Sequence, residues 1–113
     1  MISAKFLKND LGFTLKMRGH AEKNGTSGNL VCAAASGIFY ALIGYLANEC
    51  ESMKIRALSP GNAVVECGDD GESAMKQACI GLIQLALTYP ESIEVTSSVW
   101  GWKLTPSQSV GII

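Results

Sequence analysis

One histidine, His20, and four cysteines, Cys32, Cys50, Cys67 and Cys79, are the side chains in this sequence best suited to nucleophilic chemistry. His20 and Cys32 stand twelve positions apart within RGHAEKNGTSGNLVCAAAS, Arg18 to Ser36. A free thiol with a pKa near ~8.5 is mostly protonated at neutral pH, and both the positive end of a helix and a nearby imidazolium favour its thiolate. Cys32 is placed by its surroundings in the first turn of a helix. His20 ends a strand, and the loop after it can fold back over that helix start. A pair so arranged could attack a carbonyl through sulfur while the imidazole moves the proton. Ser36, one turn beyond Cys32, can face the same side and contact a substrate, or simply back-bond to its own helix. From residue types alone two readings stand: a thiol active site, or a packed cysteine and a surface histidine that never meet.

The other cysteines compete poorly. Cys50 falls at the negative end of the same helix, and Cys67 and Cys79 sit in strand and helix patterns that read as core. No C-x-x-C pair occurs, and a single histidine leaves too few partners for zinc, so neither a metal nor an organic cofactor is expected. Without a disulfide framework the four read as free thiols of a reducing compartment. Trp100 and Trp102 share one strand face and read as packing or as an exposed aromatic rim.

Two period-two stretches open the chain, Ile2, Ala4 and Phe6, then Phe13, Leu15 and Met17, with KNDLG between them as a tight reversal. Glu22 to Gly28, with small polar side chains and glycines, reads as a mobile surface loop. A helix is expected from Asn29 or Leu30 to about Asn48, with the Asn29 side chain capping its first amides. Lys54 to Leu58 and Ala63 to Cys67 read as strands joined by the Pro-Gly turn SPGN. DDGES then places acids at the start of a second helix whose buried face is Met75, Ala78, Cys79, Leu82, Ile83 and Ala86, ending before Tyr89-Pro90. Ile93 to Val99 reads as a strand running on toward Trp102 and Leu104. This order predicts a two-layer α/β fold: a mixed or antiparallel sheet of about five strands with two helices packed on one face. One domain over residues 1–113 is expected, with 105–113 as a flexible tail.

Leu30 to Asn48 contains no charged residue and approaches the length of a membrane span. Its five alanines, its glycines and tyrosines, and the lack of flanking basic clusters favour a helix buried on two sides, which points to a homodimer. Gly37 and Gly44, seven apart, would let another backbone approach on that helix or would pack closely within the chain. Nine basic against ten acidic side chains give no bulk pull toward nucleic acid, so no direct nucleic-acid partner is expected. The start MISAKFLKND has no secretory pattern, and a cytoplasmic location without membrane attachment is the expectation.

GHA at Gly19 to Ala21, the step from His20 to Cys32, VCAAAS at Val31 to Ser36, and Tyr89-Pro90 together resemble the ribosomal-processing cysteine protease family, often called Prp. The resemblance implies a homodimeric endopeptidase that removes a short amino-terminal extension from large-subunit ribosomal protein twenty-seven, with phage relatives processing virion proteins. It implies Cys32 as nucleophile and His20 as base, with Gly19, Gly28, Asn29 and Ser36 as supporting or substrate-binding positions. The loop from Glu22 to Gly28 then corresponds to a segment that shifts to admit a peptide segment of a ribosomal protein precursor. Family members usually carry Gly-x-Asp-Ile-Val-Cys here, whereas this chain has Ser27, Gly28, Asn29, Leu30, Val31 and Cys32. An amide at position 29 can orient an imidazole but adds no negative charge. A non-catalytic, dimeric ribosome-associated module and a phage-type protease acting on virion proteins are the alternative readings.

Overall fold

The computed structural model describes residues 1–21 and 28–101. The expected mobile loop at Glu22 to Gly28 lies outside the described residues except for Gly28, which is the first residue of a helix; Trp102, Leu104 and the expected tail at 105–113 also lie outside them. Chain order is β1 (Ile2–Asn9), β2 (Gly12–Arg18), α1 (Gly28–Glu49), β3 (Met53–Ser59), β4 (Asn62–Cys67), a 3-10 turn (Asp69–Gly71), α2 (Glu72–Thr88) and β5 (Ile93–Ser97). The sheet runs β3-β4-β2-β1-β5, antiparallel except for the parallel β1–β5 edge, with both helices in the single core on one face. This is the mixed two-layer α/β arrangement that the period-two and helical patterns predict.

Local chemistry explains the joints. Asn9 Oδ1 accepts hydrogen bonds from the Leu11 and Gly12 amides, at 2.8 and 3.1 Å, and so reverses the chain between β1 and β2. Ser97 Oγ accepts from the amides of Val99 and Trp100 at 3.2 and 3.1 Å, which ends β5 two residues short of the expected Val99. The Ser98 N–H still donates to the Phe6 carbonyl at 3.3 Å, after which the chain leaves the sheet and the Trp100 ring turns in to stack on Phe13 at 5.5 Å, so it packs rather than forming an exposed rim. On the helix-facing side Phe6, Leu15 and Val65 meet Val31 and Leu46 of α1 and Met75, Cys79 and Leu82 of α2, all essentially inaccessible to solvent.

α1 differs from expectation in two ways. It begins at Gly28, so Asn29 lies inside the first turn and is not the residue that caps it. Within a single chain, and among the described residues, one side of the helix is covered: Val31, Ala35, Phe39, Leu42 and Leu46 face the core, while Tyr40 and Tyr45 stand 57% and 52% exposed. A Cβ at Gly37 or Gly44 would meet nothing within 4 Å, which removes close packing within the chain as their explanation. Asn29–Glu49 is, among the described residues, the one helix long and apolar enough to cross a membrane by length and composition.

Gly71, at the start of α2, is filled from the opposite side: a Cβ there would strike the Cys67 sulfur and come within 2.8 Å of Leu46 Cδ2. Gly71→Ala should therefore lower the urea midpoint, by a destabilisation of about 1–3 kcal/mol for overpacking. Gly37→Ala, with open space and better helix propensity, should leave the stability of a single chain unchanged or raise it by roughly 0.5–1 kcal/mol.

Candidate active site

Where β2 ends, the chain passes between the β3–β4 turn and α1. The Gly19 N–H donates to the Gly61 carbonyl at 2.9 Å, extending the β2–β4 ladder by one bond. Gly19 adopts φ +88°, and a Cβ there would strike the Met1 carbonyl, so the turn outward at this position requires glycine. Two residues on, the Ala21 N–H donates to Cys32 Sγ at 3.3 Å. A hydrogen bond to sulfur steadies negative charge on it. The peptide that joins His20 to Ala21 is thereby tied to the thiol, although eleven positions separate Ala21 from Cys32.

Cys32 is the fifth residue of α1, one or two residues deeper than a start at Asn29 or Leu30 would place it. Helical side chains lean toward the amino-terminal end of their helix, which turns the Cys32 side chain back toward the first turn of α1. The thiol is half-buried and opens into a cavity of about 390 Å³, within the range of small-ligand and peptide side-chain pockets. His20, Gly19 and Ser36 line the same cavity, together with Met17, Phe39, Tyr40, Leu58 and Pro60. The His20 side chain is exposed, and its Nε2 rests against Gly61, 2.7 Å from where a Cβ would stand.

The structure thus brings His20, Cys32, Ser36 and Gly19 to one cavity, while Gly28 opens α1 and Asn29 stands exposed in its first turn, outside the cavity lining. Among the described residues no carboxylate lies within ion-pair distance of His20, and no cluster of three or more His, Cys, Asp or Glu could hold a metal ion. The β3–β4 turn was legible in SPGN only as a turn. Its place beside His20 comes from pairing between distant strands, which no local pattern reports.

None of the four cysteines is disulfide-bonded. Burial pushes the Cys67 thiol up to about 11, with the neighbouring Cys50, Asp70 and Asp69 adding to it and a Phe13 backbone hydrogen bond opposing. Burial, then the Asp70 and Glu49 carboxylates, raises Cys50 as well, while Cys50 Sγ donates to the Asp70 carbonyl at 3.6 Å. Both are held protonated at neutral pH and are poor nucleophiles. Alkylation with iodoacetamide at about pH 8, mapped by mass spectrometry, should label Cys32 well before Cys50 or Cys67. Because Cys67 ionises more readily in the unfolded chain, where its value is the ordinary 9.0, its contribution to stability is complete below pH 9.0 and is lost as pH rises through about 11. Urea unfolding across that window should show the decline in the intact chain and a shallower one in Cys67→Ala.

Residues 1–94 match the Peptidase_Prp family, described as cysteine protease Prp. The fold is similar to the crystal structure of an essential ribosomal processing protease Prp from S. aureus in complex with a substrate peptide, at 18% identity and a TM-score of 0.73, covering 87% of this chain and 100% of that one. The same figures hold for that protease with a covalently linked product peptide. A crystal structure from Streptococcus mutans gives 19% identity and a TM-score of 0.67, over 86% of this chain and 93% of that chain. The curated proteins give no match. With its sheet, its two helices and a family match over most of its length, the chain belongs to the cysteine protease Prp family.

Proposed function

We propose that the chain is an endopeptidase in which Cys32 is the nucleophile and His20 the general base and acid. The observation that carries this reading is the Cys32 sulfur opening into a cavity lined by His20, with the Ala21 N–H donating to that sulfur at 3.3 Å. His20 takes the thiol proton and the thiolate attacks the scissile carbonyl carbon. The C–N bond then breaks as the imidazolium returns the proton to the leaving amine, leaving a thioester. Water, deprotonated by His20, hydrolyses the thioester and restores the thiol. In this reading the oxyanion is stabilised by backbone amides beside Cys32, among them the Ala21 N–H that donates to its sulfur and those of the first turn of α1. No metal or organic cofactor enters this sequence of steps.

The substrate in this reading is an extended peptide segment of a ribosomal protein precursor, specifically the amino-terminal extension of large-subunit ribosomal protein twenty-seven. Two things support it: family membership, and the substrate peptide bound by the structurally similar S. aureus protease. β3 and β5 are the edge strands of the sheet among the described residues, and strand addition is a fitting way to hold such a peptide. Four cysteines without a disulfide suit the reducing cytoplasm as the place of action. The enzyme works as a homodimer through the outward side of α1, where Gly37, Ala41 and Gly44 lie beside exposed tyrosines and no charge intervenes.

Cys32→Ala should abolish cleavage of an extended ribosomal substrate followed by mass spectrometry, and His20→Ala should lower kcat by roughly a hundredfold or more. Cleavage that survives Cys32→Ala unchanged rules the mechanism out. For the dimer, Gly44→Glu should leave the chain folded, since nothing obstructs the added side chain, and should shift sedimentation toward the monomer. A variant that sediments as the parent does would place the interface elsewhere.

A further inference from the structure

Asn62, which lines the cavity, holds the one buried side-chain oxygen or nitrogen without a hydrogen-bond partner among the described residues. Its Oδ1 is closed off from solvent and has no hydrogen-bond partner among the described residues, although the residue as a whole is half-buried. An acceptor in that condition bears its full desolvation penalty, and in a functional cavity it marks a donor that engages during function. Asn62 begins β4, paired with Ser59 across the hairpin and with Arg18 across β2. It directly follows Gly61, the residue against which His20 Nε2 rests. Gly61 has no side chain to stand between the imidazole and its neighbour.

The chemistry of His20 supplies the missing donor. A neutral imidazole carries one N–H, and on taking the Cys32 proton it carries two, so the nitrogen turned away from the sulfur needs an acceptor. Asn29 stands outside the cavity, and among the described residues no carboxylate lies within ion-pair distance of the ring. We propose that Asn62 is the positioning residue for His20: its Oδ1 accepts a hydrogen bond from His20 Nε2–H and holds the ring so that Nδ1 exchanges the proton with Cys32. An amide oxygen in this place fixes the tautomer and orientation without adding a charge, as in Cys-His-Asn arrangements on unrelated folds. The turn SPGN thus does more than reverse the chain: Gly61 makes room for the ring and Asn62 receives its hydrogen bond. The kinetic part of this inference rests on the thiol-protease reading, whereas the His20–Asn62 pairing does not.

The chain has a single histidine, so NMR signals of its imidazole are unambiguous in the full-length protein. The titration of His20 should move to lower pH in Asn62→Ala, which removes an acceptor for the protonated ring, and to higher pH in Asn62→Asp, which adds a charge to the same acceptor. With an extended ribosomal peptide, Asn62→Ala should lower kcat roughly ten- to a hundredfold, the factor carried by one hydrogen bond to a charged group, and leave KM within about twofold. Asn62→Asp, which preserves shape and acceptor, should retain more of kcat and shift the acidic limb of its pH profile. Identical His20 titrations in the parent and both variants overturn the proposal, as does an Asn62→Ala variant that raises KM with kcat unchanged, the mark of a substrate contact. Should Asn62→Ala fail to fold, the near-isosteric Asn62→Asp still gives the titration. If the parent cleaves no peptide, the protease reading fails while the titrations still decide the pairing. If cleavage is normal and the titrations coincide, only the Asn62 assignment falls.

Discussion

The segment Gly19 to Ala21 is pinned at both ends by backbone hydrogen bonds to two different elements, and the rest of the site depends on that double attachment. Gly19 is held by the Gly61 carbonyl in the β3–β4 turn, and Ala21 by the Cys32 sulfur on α1. The left-handed conformation of Gly19, forced by the nearby Met1 backbone, sets the direction in which the strand leaves the sheet. His20 lies between the two anchors. Its side chain stands in solvent, yet its backbone position is fixed by the sheet on one side and the helix on the other, which suits a proton carrier that must be both precise and accessible.

The core gives those anchors a rigid frame. Helical spacing places Val31 and Ala35 against the sheet, so Cys32 and Ser36, each the next residue along, emerge together on the flank that borders the cavity. One helix therefore carries packing and chemistry on adjacent stripes, and a third stripe of glycines, alanine and tyrosines faces outward. Tyr40 belongs to that outer stripe and to the cavity lining at once, so whatever covers the outer face of α1 also borders the site.

Much of this was legible because it is local. Alternation in β1 and β2, the turn residue Asn9 and the apolar face of α2 report their structure through sequence spacing alone. That His20 and Cys32 reach one cavity was suggested mainly by the resemblance to a family, since the residue types alone left a thiol site and an unrelated cysteine and histidine both open. Three features could not be read from spacing. A serine turn at Ser97 ends β5 early, α1 starts at Gly28 so that Asn29 is no cap, and β3, with a register shift between Ile55 and Ala57, is mostly exposed. The early end of β5 comes from a side-chain hydrogen bond and the exposure of β3 from its edge position, and neither leaves a period in the sequence. The contact between His20 and Gly61 was hidden for a related reason, because it follows from the pairing of β2 with β4, which lie far apart in the sequence.

Cleavage by a thiolate passes through a covalent thioester, and that intermediate can be trapped. Mixing the protein with an extended ribosomal peptide, quenching in acid within the first turnover and digesting for mass spectrometry should yield the amino-terminal fragment of the peptide attached as a thioester to Cys32. A fragment attached to another cysteine, or cleavage that proceeds with no adduct on Cys32 under conditions that trap one from a known thiol protease, would contradict the account.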